Sequence, residues 1–566
     1  MKRDHIKTPN EKRPSFLSGV FLLSLSAILV KVTGLVTKIP LLHLLGAQGM
    51  GYYNAAYEVY ATLFVLSTAG LPVALSILIS RRPESGGQIF RSAARLFAAV
   101  GAVGSLCLWF FADGIAARIG NAGAGASVRA LAPAVLFVCL ASAVRGYYQG
   151  MGNMSPTAVS QILEAVGKLV FGLALATAAC RRGLPLTDVA AAGAWGLSAG
   201  TLSALLYLIC RIGADFFRER RNADRGASEH HTSKRPAQRI LRPLVAIAVP
   251  ITLSAGVTPL TRLLDMVLIL RRLQGCGYTE EMTGSLYGIY STLAVPLYSL
   301  LPMLIGSLAL PIVPGIARAR ETGDLSAERE IVSTSLRLTC LLGLPASLGL
   351  AAFSYPILNL LFGSGNTDMA VAQAAPLLRV LGISVLGGCL VTVLGAMLQA
   401  YGRPRVPLYA MLAGSAVKLS AAFILLGIPR VGMLGAPIST FLCHFTVILI
   451  ESSVLCRLIP RGVSLHGFCL RTGGAAFCAV MGTTLLWQAV DRHLPLPPSA
   501  ILAAVAFCIL IYLILTLRTG ALRREDVVSL SHGECLWKLF ERLKWTPSGG
   551  KVVNFTENKS KFFKTS

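Results

Sequence analysis

Residues 16–45 read FLSGVFLLSLSAILVKVTGLVTKIPLLHLL, an apolar run that follows a basic N-terminal stretch. A transmembrane helix needs about 20 mostly apolar residues, whereas the apolar core of a signal peptide has about 7–15. The run of 30 residues is therefore predicted to be a membrane span that the protein retains. Lys31 and Lys38 lie inside it, about two turns apart on one face of the predicted helix.

Similar apolar runs, rich in glycine and interrupted by proline, continue to residue 517. Of the 566 residues, 54% are hydrophobic and 14% are charged, whereas a soluble domain carries about 25% charged residues. The chain is therefore predicted to be an all-α polytopic membrane protein with about 14 transmembrane helices. The predicted spans are 16–45, 52–80, 92–112, 127–150, 156–180, 189–210, 243–270, 284–316, 332–360, 370–400, 405–428, 432–456, 472–490 and 499–517.

The basic residues predict how these spans are oriented. The net charge of +26 is distributed in short clusters between apolar runs, whereas a nucleic-acid-binding protein concentrates its charge on a soluble face. With the N-terminus inside, 28 Lys and Arg residues flank the spans on the inner side and 8 on the outer side, the C-terminal tail being left out. The positive-inside rule then predicts that both termini are cytoplasmic, and no nucleic-acid partner is expected.

Sequence motifs argue against several other classes of protein. The 13 cysteines are scattered and form no C-x-x-C pair, so neither a disulfide framework nor a zinc site is predicted. No G-x-x-x-x-G-K-[ST] phosphate loop and no H-E-x-x-H motif occurs. We therefore predict a protein that is not an enzyme and carries no cofactor, with a coupling cation left open.

A polar stretch divides the chain after the sixth predicted span. The predicted parts are an N-terminal segment (1–15), a first six-helix lobe (16–210), a linker (211–242), a second six-helix lobe (243–456), a C-terminal helix pair (472–517) and a cytoplasmic tail (518–566). Within the tail, residues 534–545 (ECLWKLFERLKW) have the pattern of an amphipathic helix that lies on the membrane surface.

A weak internal repeat relates the two predicted lobes. Residues 145–172 and 395–422 match at an offset of 250, so that Gln149, Gly152 and Lys168 correspond to Gln399, Gly402 and Lys418. Each copy joins an even-numbered span to the next through a tight inner turn, which predicts a parallel repeat. Pseudo-symmetry of this kind is common in alternating-access transporters, whose substrate site lies between the halves.

Proline residues interrupt the second helix of each predicted lobe. The second span carries Gly70-Leu71-Pro72, and the eighth carries four prolines, Pro296, Pro302, Pro311 and Pro314. Matched interruptions are typical of the moving elements that line a transport site. Kinks without a function are the alternative.

Charged residues within the predicted spans are the candidates for function, because a charge inside a membrane is costly. The candidates for substrate binding are Lys31, Lys38, Arg262, Lys418 and Lys168, and the candidates for coupling are Asp265 and Glu58.

Alternative roles remain open for several of these residues. Lys38 either lines a cavity or extends to the outer interface. Lys168 either binds a ligand or pairs with Glu164 at spacing i, i+4, whereas Lys418 has no such partner on its own helix. Arg262 and Asp265, at spacing i, i+3, either act on a ligand or neutralise each other.

Cations outnumber anions among the candidates. A site lined by lysine and arginine suits an anionic ligand, in particular a phosphate or pyrophosphate, and does not suit a cationic drug.

Three segments together resemble a known family. They are KVTGLVTKIPLLHLLGAQGMGYYNAAYEVY with the following GLPVALSILIS, then RGYYQGMGNMSPTAVSQILEAVGKL, then LQAYGRPRVPLYAMLAGSAVKL. These segments resemble stage V sporulation protein B and its relatives, the MurJ-like lipid II flippases of the multidrug/oligosaccharidyl-lipid/polysaccharide exporter superfamily. The resemblance covers about residues 16–517.

This resemblance implies a fold and a function. It implies two six-helix lobes around a central cavity, two additional helices, and a bacterial cytoplasmic membrane protein that exports an undecaprenyl-pyrophosphate-linked sugar. The first-span cations of the family match Lys31 and Lys38, and Arg262 matches by its position in the seventh span. The MurJ branch of the family usually has arginines in the first span, where this chain has lysines.

Three functional hypotheses follow. The first is a flippase for a lipid-linked peptidoglycan or polysaccharide precursor, with membrane lipids around it and cell-wall synthesis proteins as possible partners. The second is a cation-coupled multidrug exporter of the same superfamily. The third is a scaffold of a cell-wall synthesis complex that transports nothing, in which neutralising the intramembrane cations would have no effect.

Overall fold

The computed structural model describes residues 16–223, 238–309, 311–363, 365–459, 466–493 and 497–522, with Glu534, Trp537, Phe540 and Arg542. These residues form helices and turns, and none of them lies in a β-strand. The helices are α1 (Phe16–Thr68), α2 (Gly70–Arg81), α3 (Gly86–Ile119), α4 (Gly125–Gly150), α5 (Ser155–Arg181), α6 (Leu186–Ala223), α7 (Gln238–Gly275), α8 (Glu280–Ile289), α9 (Val295–Ala309), α10 (Ile312–Glu321), α11 (Leu325–Ala352), α12 (Ser354–Phe362), α13 (Asp368–Ala400), α14 (Arg405–Leu426), α15 (Gly435–Leu455), α16 (His466–His493) and α17 (Ala500–Arg518).

Some predicted segments fall outside this description. The N-terminal segment 1–15, the middle of the linker 211–242, most of the tail 518–566 and all but four positions of the predicted surface helix lie outside the described residues. Both ends of the predicted linker are helical, because α6 continues to Ala223 and α7 begins at Gln238.

The number of membrane spans agrees with the sequence prediction. In the described residues, 13 helical stretches are long and apolar enough to cross a membrane. The first stretch, Leu29–Arg81, has 53 residues, whereas one crossing needs about 20. It is broken at Gly46, whose φ of 62° lies in the left-handed region that favours glycine. Since this break falls between the predicted spans 16–45 and 52–80, the prediction of an all-α membrane protein with about 14 transmembrane helices is confirmed.

Helix interruptions occur in both regions where proline predicts them. α1 ends at Thr68 and α2 begins at Gly70, next to Leu71-Pro72. In the eighth predicted span, α8 continues through a π-helical turn, Tyr290–Ala294, into α9. α9 then ends at Ala309, and α10 begins at Ile312.

The two copies of the internal repeat share one turn geometry. Gly152 and Gly402 have φ of 79° and 72°, and their amides donate to the carbonyls of Gln149 and Gln399, both at 3.0 Å. The next amide in each copy, that of Asn153 or Arg403, donates to the carbonyl five residues back at 2.9 Å. A left-handed glycine that ends a helix in this way lets the chain reverse sharply.

Contacts divide the chain into two compact units. Unit 1 comprises 1–300, 361–381 and 404–451, and it therefore includes α1 to α8 and α14. Its helices approach each other through small residues: a Cβ atom on Gly196 of α6 would lie 2.1 Å from the Cα atom of Gly172 of α5. Close contact between small residues is a common way for helices to associate in membranes.

Unit 2 comprises 301–360, 382–403 and 452–566. α16 packs against α11 and α17, and the Tyr512 hydroxyl donates to the Leu341 carbonyl at 2.8 Å. Asp324 caps α11 by accepting from the backbone amides of Ser326 and Ala327, both at 3.0 Å. The Ser326 hydroxyl and these amides lower the pKa of the Asp324 carboxyl. The two predicted lobes and the additional helix pair stay a prediction.

Candidate functional site

The seven charged residues singled out by the sequence all lie in unit 1. Lys31, Lys38 and Glu58 are on α1, Lys168 is on α5, Arg262 and Asp265 are on α7, and Lys418 is on α14. Four helices of one compact unit therefore supply the candidates, which we call the cation cluster.

Lys31 lies where positive charges repel each other. Its side chain is exposed, and the charges of Arg262 and Lys168 act on it. Within the described residues, neither Lys31 nor Arg262 has an ion pair or a side-chain hydrogen bond. Their charges are therefore free to meet an anion.

Lys38 is held by a neutral acceptor. Its Nζ atom donates to the backbone carbonyl of Ser291 at 2.7 Å. Lys168 and Lys31 repel its charge, and Glu58 attracts it. The half-buried side chain is thus directed toward α8 and α9 rather than toward water.

Lys168 also has a neutral partner, and of its two alternatives the pair with Glu164 is not formed. Its Nζ atom lies 4.7 Å from the ring centroid of Tyr57, a cation–π distance. Glu164 instead accepts from the guanidinium of Arg145 at 2.9 Å, and Arg145 also donates to Ser160 at 2.9 Å. The spacing i, i+4 allows a pair on α5, but the carboxylate faces α4 and the ammonium reaches α1.

Lys418 has a partner on another helix, and the alternative in which Arg262 and Asp265 neutralise each other is not realised. The Lys418 Nζ atom lies 2.8 Å from Asp265 Oδ2 in a buried ion pair between α14 and α7. Spacing along a sequence reports only neighbours on the same helix, whereas this pair joins two helices. Asp265 therefore neutralises Lys418 and leaves Arg262 unpaired.

Two carboxylate oxygens in the cluster have no hydrogen-bond partner among the described residues. They are Glu58 Oε2 and Asp265 Oδ1, and both are buried. The two carboxylates act electrostatically on the same buried hydroxyl, that of Tyr287. Tyr290, one turn along, is near both Lys418 and Asp265. The two tyrosines therefore lie between Glu58 and the pair of Lys418 and Asp265.

The tyrosines and Ser291 were not predicted from the sequence. A repeat could have found them: Tyr57-x-x-Tyr60-x-Thr62-Leu63 recurs as Tyr287-x-x-Tyr290-x-Thr292-Leu293 at an offset of 230. The same offset relates Leu71-Pro72 to Leu301-Pro302, at the interruptions of the second and eighth spans.

A G-x-S-x-G pattern at 196–200 does not form a catalytic site. Ser198 lies inside α6, is buried, and donates to the Ala130 carbonyl at 2.6 Å. A nucleophile elbow instead places its serine on a sharp turn between a strand and a helix.

The arrangement is suited to binding an anion. Lys31, Lys38, Lys168 and Arg262 have no carboxylate partner within 4 Å among the described residues, and Glu58 is the acid near Lys38. Ammonium and guanidinium groups bind phosphate oxygens through charge-assisted hydrogen bonds.

Two family patterns match the chain. The pattern of the polysaccharide biosynthesis protein family matches residues 16–320, and the MatE pattern matches residues 289–424.

Individual proteins also match. The membrane protein YabM of Bacillus subtilis is 27% identical over 94% of this chain and 98% of its own length. Stage V sporulation protein B of the same organism is 23% identical over 84% of this chain and 90% of its own. A solved structure titled as lipid II flippase MurJ in an inward closed conformation has a TM-score of 0.66, with 14% identity over 88% of this chain and 98% of the other. These matches confirm the family resemblance stated from the sequence.

Proposed function

The chain belongs to the polysaccharide biosynthesis protein family, and we propose that it is a flippase. The proposed substrate is a lipid-linked peptidoglycan or polysaccharide precursor whose pyrophosphate joins an undecaprenyl chain to a sugar. The protein would carry it from the inner to the outer leaflet of a bacterial cytoplasmic membrane by alternating access, with both termini in the cytoplasm.

The cation cluster is the observation that supports this proposal. A pyrophosphate diester carries two negative charges that must be compensated inside the membrane. Lys31 and Arg262 have no ion pair among the described residues, and Lys38 and Lys168 have the neutral partners Ser291 and Tyr57. All four are therefore available to phosphate oxygens without the loss of an existing ion pair.

Lys418 has a different proposed role from the other four cations. Its ion pair with Asp265 would have to break before its ammonium could bind a substrate. We therefore assign Lys418 to the positioning of α7, which carries Arg262. Asp265 and Glu58, each with an oxygen lacking a partner among the described residues, are the proposed coupling residues.

The names of similar proteins agree with this function. Lipid II flippase MurJ is named for a lipid-linked peptidoglycan precursor, and stage V sporulation protein B is named for sporulation. A protein of this fold with an anion-binding cluster is expected to act on a related substrate.

A cation-coupled multidrug exporter is the second candidate, because the MatE pattern matches residues 289–424. Such a protein would need accessible carboxylates for a cationic drug. Asp265 is instead paired with Lys418, and the charge of Glu58 acts on Lys38. The electrostatics of the cluster therefore favour the flippase.

Ligand binding tests the proposal. Purified protein in lipid nanodiscs is titrated with undecaprenyl pyrophosphate, and Lys31→Ala and Arg262→Ala are each expected to lower the affinity about tenfold or more, since hydrogen bonds to charged groups contribute about 1.5–3 kcal/mol. Arg129→Ala is the matched control, because Arg129 forms an exposed ion pair with Asp113 outside the cluster. Equal affinity in the wild type and the three variants would contradict the proposal. Binding of a cationic drug to the wild type in place of undecaprenyl pyrophosphate would favour the exporter.

A further inference from the structure

The hydrogen bond between Lys38 and Ser291 joins α1 to an irregular part of the following helices. Ser291 lies in the π-helical turn Tyr290–Ala294 that connects α8 to α9. π turns widen a helix locally and are frequent at functional sites. Here the widened turn presents a carbonyl oxygen to the ammonium of Lys38 at 2.7 Å.

This bond is next to a tight contact between α1 and α8. On the residue after Ser291, the Thr292 hydroxyl accepts from the Asn54 side-chain amide at 2.7 Å, and both residues are buried. A Cβ atom on Gly288 would lie 2.1 Å from the carbonyl oxygen of Ala47. The two helix backbones therefore touch, and Lys38 adds a polar link at the same junction.

The ammonium of Lys38 is expected to bind an anion more strongly than it binds the Ser291 carbonyl. Lys168 and Lys31 repel its charge and Glu58 attracts it, whereas the Ser291 carbonyl carries no net charge. A phosphate oxygen does, and charge-assisted hydrogen bonds are roughly twice as strong as neutral ones. A bound pyrophosphate is therefore expected to take the ammonium from the carbonyl.

We infer that the Ser291 carbonyl and a phosphate oxygen of the ligand compete for the ammonium of Lys38. Binding of the anion replaces the carbonyl by phosphate and removes one of two polar links between α1 and the π turn, the other being that of Asn54 to Thr292, so that the α1–α8 junction loosens. A ligand shifts a conformational equilibrium by its differential affinity for the two states, and this exchange supplies the difference. The identity of the ligand rests on the proposed function, whereas the link between Lys38 and Ser291 does not.

Hydrogen–deuterium exchange measured by mass spectrometry tests the inference. Protein in nanodiscs is compared as wild type, Lys38→Met and Arg129→Ala, and hydrogen exchange is followed in peptides that cover 47–58 and 284–295. Without ligand, Lys38→Met is expected to exchange several-fold faster than wild type in both peptides. Arg129→Ala removes an exposed cation outside the cluster and keeps the link, so its exchange is expected to equal that of wild type.

Inorganic pyrophosphate supplies the second arm of the experiment. It is expected to accelerate exchange of the same peptides in wild type and to leave Lys38→Met unchanged. Gly288→Ala keeps Lys38 but adds a Cβ atom at the contact between α1 and α8. It is therefore the control for a junction that is opened by packing and not by loss of Lys38. Lys38→Arg covers the case in which Lys38→Met does not fold. It keeps a hydrogen-bond donor at position 38, so its hydrogen exchange is expected to equal that of wild type.

The outcomes separate this inference from the proposed function. Protection of Lys38→Met equal to that of wild type would overturn the link. If calorimetry shows that pyrophosphate binds the wild type and hydrogen exchange does not change, the replacement of the carbonyl by phosphate is overturned and the link is not. If pyrophosphate binds none of the proteins, the replacement of the carbonyl by phosphate and the proposed anionic substrate are overturned together. This holds whatever the hydrogen exchange without ligand shows.

Discussion

Lys418 and Asp265 form a buried ion pair that joins α14 to α7. Removing both charges from such a pair is often nearly neutral, whereas removing one leaves the other buried and uncompensated. The pair also determines which cations of the cluster stay available, since it removes Lys418 and leaves Arg262 on the neighbouring turn of α7.

Lys418→Met is expected to lower the free energy of unfolding by about 3–5 kcal/mol because it isolates the charge of Asp265. The double variant with Asp265→Asn is expected to recover most of that loss. Thermal unfolding in detergent of wild type, the two single variants and the double variant gives the coupling energy. Removal of the exposed pair of Arg129 and Asp113 is the control and should cost at most about 1 kcal/mol. Losses that simply add in the Lys418 cycle would contradict the pair.

The sequence identified the charged side chains of the cluster but not their partners. A charge within an apolar run is visible in a single sequence, because its cost in the membrane is general. Which group compensates it depends on helix packing. Lys168 therefore contacts Tyr57 on α1 rather than Glu164 on its own helix.

At the scale of helices, unit 2 contains a close pair of cysteines. Cys340 of α11 and Cys469 of α16 have their Sγ atoms 3.8 Å apart. α16 begins the predicted C-terminal helix pair, and its contact with α11 fixes that pair within the unit. A disulfide has an S–S distance of about 2.05 Å, so a change of side-chain rotamers would be needed to join the two sulfurs.

Mild oxidation with diamide is expected to join Cys340 to Cys469, because their sulfurs are already in contact. The cross-linked peptide is detected by mass spectrometry before and after reduction. Cys139→Ser should leave the product unchanged, since Cys139 is a buried cysteine on α4 and is not among the groups that act on Cys340, whereas Cys340→Ser should abolish it. Absence of the product under conditions that oxidise other cysteines of the chain would contradict the packing of α16 on α11.

Helix lengths and breaks were predictable, but the local geometry of the breaks was not. Run length and the positions of Gly and Pro predicted about 14 spans, and Gly46 separates the first two. Apolar composition does not reveal where a helix continues beyond its apolar run, as α6 does to Ala223. It also does not distinguish a proline kink from the π turn at Tyr290–Ala294, which places the Ser291 carbonyl beside Lys38.

At the scale of the whole molecule, the fold was predictable because its signals recur along the chain. The repeat of residues 145–172 at 395–422 gives two turns of the same geometry, at Gly152 and Gly402. The family pattern covers residues 16–320, and the structure of MurJ aligns with 88% of the chain. Substrate choice depends on a few side chains instead, and the proposal that the cluster binds pyrophosphate therefore needs a direct test.

Translocation of a fluorescent lipid II in proteoliposomes tests that proposal most directly. Purified wild type, Lys31→Ala, Lys38→Ala and Arg129→Ala are compared by the fraction of lipid that becomes accessible on the opposite leaflet. We predict transport by wild type and by Arg129→Ala, and loss of most transport in the two lysine variants. Transport that survives both lysine substitutions, or no transport by a folded wild type, would contradict a flippase that holds its substrate through this cation cluster.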